Sequence, residues 1–139
     1  MDPHISIRLR SAGLDVLGWF TGSGPSVREV FQRVVHVEAT PVQRIPSNVA
    51  DAARRINDAW ISHACDSAVL AEDGSFLAAV GLKYDWVKVR LTDATDISAL
   101  EEPQGELLFV ARSLSGHRAC AVSTEEGEYW ILGLEFPQG

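Results

Sequence analysis

Two histidines and two cysteines are the side chains of this sequence best suited to metal binding or nucleophilic attack. They stand as His63-x-Cys65 and His117-x-x-Cys120, and imidazole and thiolate are donors that zinc prefers. These spacings match none of the zinc-knuckle or zinc-finger patterns. Residues 117 and 120 would also point to opposite faces of a strand. We therefore expect no metal and no other cofactor.

A cysteine nucleophile is the second chemistry that these residues suggest. Cys65, with His63 or His117 as its base, would need a stabilised thiolate. Cys65 follows the end of a predicted helix, where the helix dipole disfavours a thiolate. The turn over residues 22–26 precedes another helix but lacks the lysine and the glycine spacing of a phosphate-binding loop. The sequence thus favours a binding protein over an enzyme.

A cationic and aromatic stripe on residues 83–91 is the strongest candidate for a contact surface. Read as a strand, this segment places Val87, Val89 and Leu91 on one face. The opposite face carries the predicted partner-binding residues Tyr84, Trp86, Lys88 and Arg90. Aromatic residues and arginine are the usual hot-spot types of protein interfaces. Two other interpretations remain open: an edge strand that carries lysine to discourage strand pairing, and a cation–π contact between Trp86 and Lys88.

Acidic residues cluster directly after this stripe. We include four of them in the predicted partner-binding surface: Asp93, Asp96, Glu101 and Glu102. Glu106 extends the acidic run. They suit a basic partner by electrostatic complementarity, although a solvated loop has the same composition. The spacing lacks the alternating ligands and the glycine of a calcium loop.

Composition limits the class of the protein. The chain has 139 residues, and 19 acidic against 12 basic residues give a net charge of −7. Non-specific nucleic-acid binding needs a basic face, so we expect no nucleic-acid partner. No apolar run is long enough for a membrane span or a signal peptide. Two cysteines form no disulfide framework, and we expect a protein of the reducing cytoplasm.

Two helices are predicted from caps and from apolar spacing. Ser26 and Glu29 have the spacing of a capping box, which predicts a short helix over residues 26–35. Ser47 precedes the main helix, predicted over residues 48–63, with Ile56 and Trp60 on its apolar face. Residues 34–38 are a possible additional strand.

Alternating apolar residues and turn signals predict the strands. A hairpin is expected from residues 5–10 and 14–20, and another from residues 67–72 and 75–81 around Asp73-Gly74. After the stripe, three strands joined by short links are expected at residues 106–113, 118–124 and 128–136. The last is apolar on both faces and should be central or covered twice. Leu17 and Trp19 share one face, which we expect a helix or a second copy of the chain to cover.

We therefore predict a single α+β domain over residues 1–139, with a mostly antiparallel sheet of five to six strands. The favoured function is a non-enzymatic intracellular protein-binding domain, such as a bacterial immunity or antitoxin-type inhibitor of a basic partner, acting as a monomer or homodimer. A secretion chaperone is one alternative. The other is a small-ligand sensor or small enzyme with a pocket between the main helix and the sheet, lined by Trp60, His63 and Trp130.

Overall fold

Seven strands of the computed structural model pair side by side in one antiparallel sheet, in the order β1-β4-β3-β5-β6-β7-β2. The structure describes residues 3–34, 41–79, 85–100 and 107–136. The strands are β1 Asp15–Trp19, β2 Gln43–Pro46, β3 Ser75–Ala79, β4 Val87–Arg90, β5 Phe109–Arg112, β6 Arg118–Glu125 and β7 Glu128–Glu135. The helices are α1 Pro3–Ser11, α2 Val27–Val34 and α3 Ala52–Asp66, with a 3₁₀ turn at Ile97–Leu100. The predicted α+β class is confirmed, although the sheet has more strands than predicted.

The main helix, α3, packs its apolar stripe on one face of the sheet. Ala52, Ile56, Trp60 and Ala64 recur every fourth residue and are all buried. The helix begins later than the predicted residue 48, since Ser47 hydrogen-bonds elsewhere: its hydroxyl donates to the Gly127 carbonyl at 2.7 Å. Helix α3 therefore forms one of the two cores of the protein together with β-strand side chains such as Phe76 and Val89.

The short helix α2 covers the other face of the sheet. Its predicted capping box is present: the Glu29 backbone N–H donates to Ser26 Oγ at 3.1 Å, and the Ser26 N–H donates to Glu29 Oε1 at 3.3 Å. Val30 and Phe31 are buried in the second core, with Trp86 and Leu132 from the sheet. Each face of the sheet thus has its own hydrophobic core.

The N-terminal segment is a helix, α1, and the strand predicted over residues 5–10 is wrong. Ile5, Leu9 and Ala12 are buried, whereas Ile7 is 62% exposed. The alternation of Ile5, Ile7 and Leu9 also fits a helix in which residues four apart share a face. Strand β1 consequently has no N-terminal hairpin partner and pairs with β4 instead.

Two further differences change the order of the sheet. Residues 67–72 form no strand, because the end of α3 turns there, with Ala68 at a φ of 61°. Residues 43–46, predicted as part of a loop between prolines, form β2 and pair with β7. Pro46 is tolerated because β2 is an edge strand. Strand β7 therefore lies one position in from the edge, with side chains in the cores on both of its faces. Residues 35–38 lie outside the described segments.

Arg112 is a buried cation that joins the loop over residues 20–25 to the sheet. Its side chain donates hydrogen bonds to the backbone carbonyls of Ser23, Pro25, Ser113 and Leu114, each at 3.0 Å. Burial lowers the pKa of Arg112. Among the described residues, no carboxylate forms an ion pair with it, so backbone dipoles stabilise the charge.

No described helix is both long enough and apolar enough to cross a bilayer.

Candidate functional site

One edge of the sheet exposes large apolar side chains on its outer strand and carries cations on the next strand. On the edge strand β1, the relative exposure is 46% for Leu17 and 40% for Trp19. The neighbouring strand β4 places Lys88 opposite Gly18 and Arg90 opposite Asp15, both on the α2 face, and Val87 opposite Trp19, on the α3 face. We call these residues the edge surface: Asp15, Leu17, Trp19, Lys88 and Arg90. The edge surface combines aromatic and aliphatic area on β1 with cations on β4. This composition is typical of a protein contact.

A β-bulge shapes the edge surface. The pairing of β1 with β4 shifts between Val16 and Gly18, so Leu17 is the extra residue. A Cβ atom placed on Gly18 would meet no other atom within 4 Å. The bulge bends the edge strand, which disfavours the open-ended addition of further strands. The edge surface is therefore better suited to side-chain contacts than to continuation of the sheet.

The charges of the edge surface are partly paired. Arg90 Nη2 lies 3.1 Å from Asp15 Oδ2, and both side chains are about half exposed. Such a solvent-exposed pair contributes roughly 0–1 kcal/mol to stability. In the described part of the chain, Lys88 has no ion-pair partner. Arg90 is therefore the cation of the edge surface that the structure shows in an ion pair.

Trp86 and Tyr84 do not extend this surface. Trp86 is only 4% exposed, and its Nε1 donates to the Pro25 carbonyl at 2.9 Å. The prediction that Trp86 supplies contact area is wrong, because the 20–25 loop and α2 cover this part of the sheet face. Tyr84 lies outside the described residues. Of the predicted stripe, Lys88 and Arg90 are the members that lie in the edge surface.

A cleft of about 480 Å³ opens at the start of β1. Its lining comes from the α1–β1 corner and from the segment after β4: Arg10, Gly13, Leu14, Asp15, Val16, Leu17, Thr92 and Ala94. The Gly13 carbonyl accepts hydrogen bonds from the hydroxyls of Thr92 and Thr95, which fix one wall. The cleft shares Asp15 and Leu17 with the edge surface and extends it.

The predicted acidic surface is only partly described. Asp93 and Asp96 are exposed. The Asp96 carboxylate accepts from the Ser98 N–H at 3.1 Å and from the Ser98 hydroxyl at 2.6 Å, so it also caps the 3₁₀ turn. Glu101, Glu102 and Glu106 lie outside the described residues. Asp93 follows Thr92 of the cleft and brings negative charge to the border of the edge surface.

The alternative pocket between the main helix and the sheet is not formed by its predicted residues. Trp60 is completely buried, with Phe76 and Phe109 centroids 5.5 and 5.3 Å from its ring. Trp130 packs against the second core, on the opposite face of the sheet, and Arg44 stacks on its ring. Trp60 packs in the core on one face of the sheet, and Trp130 packs against the core on the other face. The two residues therefore cannot line one cavity, and the predicted pocket is wrong.

The histidine and cysteine side chains do not converge on a reactive centre. His63 Nε2 is buried against Gly133, where a Cβ atom would lie 2.9 Å from His63 Cε1. Cys120 is buried, which strongly raises the pKa of its thiol, whereas Cys65 is exposed. In the segments that the structure describes, no three metal-binding side chains come together.

The half-buried imidazole of His63 predicts a pH dependence of stability. Desolvation lowers the pKa of His63 below its usual 6.5, and the Asp66 carboxylate opposes this shift. The unfolded chain therefore binds a proton that the folded chain does not, so the free energy of unfolding decreases as the pH falls below about 6.5. Urea denaturation at about pH 7.5 and 5.5 measures this loss. His63→Gln should have a smaller loss, and an equal loss in both proteins would contradict the assignment to His63.

Sequence reasoning identified part of this site. It predicted that Leu17 and Trp19 share a face of a regular strand, but it missed the register shift at Leu17 and the pairing of β1 with β4. Trp19 lies opposite Val87, whereas Lys88 lies opposite Gly18, so Trp19 and Lys88 are on different faces of the sheet. Arg10 and Thr92 of the cleft had no signal in the sequence, since only the α1–β1 corner places them together.

No protein family, curated protein or solved structure significantly matches the chain.

Proposed function

We propose that this chain is a non-enzymatic protein-binding domain that contacts its partner through the edge surface. One observation supports this most: Leu17 and Trp19 expose apolar area on an edge strand whose neighbour carries Lys88 and Arg90. Large apolar side chains become binding hot spots when a partner covers them. Arg90 is held by Asp15 at 3.1 Å, so part of the polar rim is already oriented.

The charge of the chain suggests the kind of partner. A net charge of −7 attracts basic proteins from a distance and raises their association rate. Asp93 and Asp96 are exposed near the cleft that adjoins the edge surface. We therefore propose a bacterial cytoplasmic immunity or antitoxin-type inhibitor of a basic partner. In this proposal, the acidic charge steers the partner and the edge surface holds it.

Affinity capture from a lysate of the source organism tests the proposal. Tagged wild-type protein is compared with Leu17→Asp, which places a charge in the edge surface. The matched control is Val42→Asp, because Val42 is also exposed, at 56%, but precedes β2 at the opposite edge of the sheet. Mass spectrometry should identify a protein that wild type and the control retain and that Leu17→Asp loses.

Two results would contradict the proposal. Equal capture by wild type and by folded Leu17→Asp would remove the edge surface as the contact, and empty captures by all three proteins would exclude a stable protein partner in that lysate. The inhibitor role has its own test. Expression of the captured protein alone should arrest growth, and co-expression with the wild-type chain, but not with Leu17→Asp, should restore it.

A further inference from the structure

Arg112 carries a buried positive charge whose acceptors in the described segments are all neutral carbonyls. Two of its four hydrogen bonds go to carbonyls of its own turn. The other two cross to the 20–25 loop, where Nη1 donates to the Pro25 carbonyl and Nη2 to the Ser23 carbonyl, each at 3.0 Å. Burial penalises a charge that has no opposite charge beside it. A carboxylate on this guanidinium would therefore be a more favourable acceptor than a carbonyl dipole.

The two loop carbonyls occupy the positions that a carboxylate would take. They place one oxygen on Nη1 and one on Nη2 of Arg112, as the two oxygens of a carboxylate do when it meets the fork of a guanidinium. The Pro25 oxygen also accepts a hydrogen bond from Trp86 Nε1 at 2.9 Å. Three side-chain N–H donors thus converge on two oxygen positions. A bound carboxylate could accept all three bonds and would add the negative charge that the carbonyls lack.

The 20–25 loop is fixed at its two ends and held by few bonds between them. At one end, the Phe20 N–H donates to the Trp86 carbonyl at 3.0 Å, and the capping box of α2 fixes the other end. Residues 21–24 are exposed. In the described part of the chain, this stretch is held by the hydrogen bonds from the Arg112 and Trp86 side chains. Such a segment opens locally at a lower cost than global unfolding.

We propose that the 20–25 loop is a lid over a carboxylate-binding site formed by Arg112 and Trp86. When the loop lifts between its fixed ends, the carboxylate of a small acid or of a peptide side chain takes the positions of the Ser23 and Pro25 oxygens. Its full negative charge interacts with the guanidinium more strongly than two carbonyl dipoles do. The freed carbonyls turn to water, so no buried acceptor loses its partner. This site shares no residue with the edge surface and is independent of the protein partner proposed for it.

Gly24 offers a substitution that destabilises the closed lid and leaves the cation in place. Gly24 has a φ of 104°, and a Cβ atom there would lie 2.9 Å from Arg112 Nη1 and 3.0 Å from Arg112 Cζ. Gly24→Ala therefore strains the closed loop, whereas the open loop can relax to another φ. The apparent affinity of a ligand increases with the fraction of molecules in the binding-competent state, so this variant should bind a carboxylate about tenfold more tightly than wild type.

Titration with sodium acetate at constant ionic strength tests the proposal, followed by the NMR signals of the Arg112 Nε–H and the Gly24 backbone amide. Saturable shifts of both signals are expected, and sodium chloride should cause none. Arg112→Lys keeps the charge but lacks the planar fork, and it should weaken acetate binding about tenfold. A parallel titration with N-acetyl-glutamate methylamide distinguishes the two sources of the carboxylate. Tighter binding than acetate would support a peptide side chain as the ligand, and equal or weaker binding would support a free small acid.

Gly127→Ala is the matched control. Gly127 also has a positive φ, 80°, but it lies in the turn between β6 and β7, and a Cβ atom there would meet nothing within 4 Å. This variant should bind acetate as the wild type does. The absence of saturable shifts in both wild type and Gly24→Ala would overturn the proposal, and so would equal acetate affinities of folded Gly24→Ala and Gly127→Ala. The comparison of the two glycine variants decides the question even if Arg112→Lys does not fold.

Discussion

Arg112→Met should lower the free energy of unfolding by about 3–5 kcal/mol, the usual cost of removing one partner from a buried charged network. Arg112 is 1% exposed, and its guanidinium donates to four backbone carbonyls. Methionine fills similar space but donates no hydrogen bond, so the carbonyls of Ser23, Pro25, Ser113 and Leu114 would all lose the guanidinium as donor. Urea denaturation followed by circular dichroism measures the loss.

Arg118→Met is the control for this prediction. Arg118 begins the adjacent strand β6, but it is partly exposed and pairs with the exposed Glu135. Its replacement should change the stability by less than about 1 kcal/mol. A similar small loss for Arg112→Met would contradict the role given to Arg112 in holding the 20–25 loop over Trp86.

Gly13→Ala should have an effect of similar size, about 3–5 kcal/mol, because it combines backbone strain with a clash against a neighbouring backbone segment. Gly13 has a φ of 78°, and a Cβ atom there would lie 2.5 Å from the Ala94 carbonyl carbon and 2.8 Å from the Thr95 nitrogen. Both neighbours are backbone atoms and cannot turn away. The α1–β1 corner and the adjacent cleft would have to open.

Gly127→Ala separates the strain from the clash. Gly127 has a φ of 80°, but a Cβ atom there would meet nothing within 4 Å. Only the left-handed conformation is then penalised, at about 1–2 kcal/mol. Thermal or urea denaturation of the two variants compares these costs, and equal losses would contradict the close approach of Gly13 to Ala94.

Local signals predicted the elements that depend on neighbours in sequence. The capping box of Ser26 and Glu29 predicted α2, and the four-residue spacing of Ile56 and Trp60 predicted α3. Both signals involve residues within about one helical turn of each other. Alternation failed for α1, where Ile5 and Leu9 fit both a strand and a helix. Tertiary contacts decide such cases, and here the buried positions are four residues apart.

The candidate site was predictable only in part, because exposure depends on distant segments. The sequence placed Trp86 and Lys88 on one strand face, and the structure agrees with that alternation. Burial of Trp86, however, depends on Pro25, which lies 61 residues earlier in the chain. The partnership of β1 with β4 likewise joins segments about 75 residues apart, such as Asp15 and Arg90, and no local pattern encodes it.

The dissociation constant of the captured partner, measured by calorimetry, tests the proposed function most directly. Leu17→Asp should weaken binding by about thirtyfold, which corresponds to a hot-spot loss of about 2 kcal/mol. Val42→Asp should bind within about threefold of wild type, because rim and remote surface changes cost little. Equal affinities of wild type and Leu17→Asp, or equal losses in both variants, would contradict binding through the edge surface.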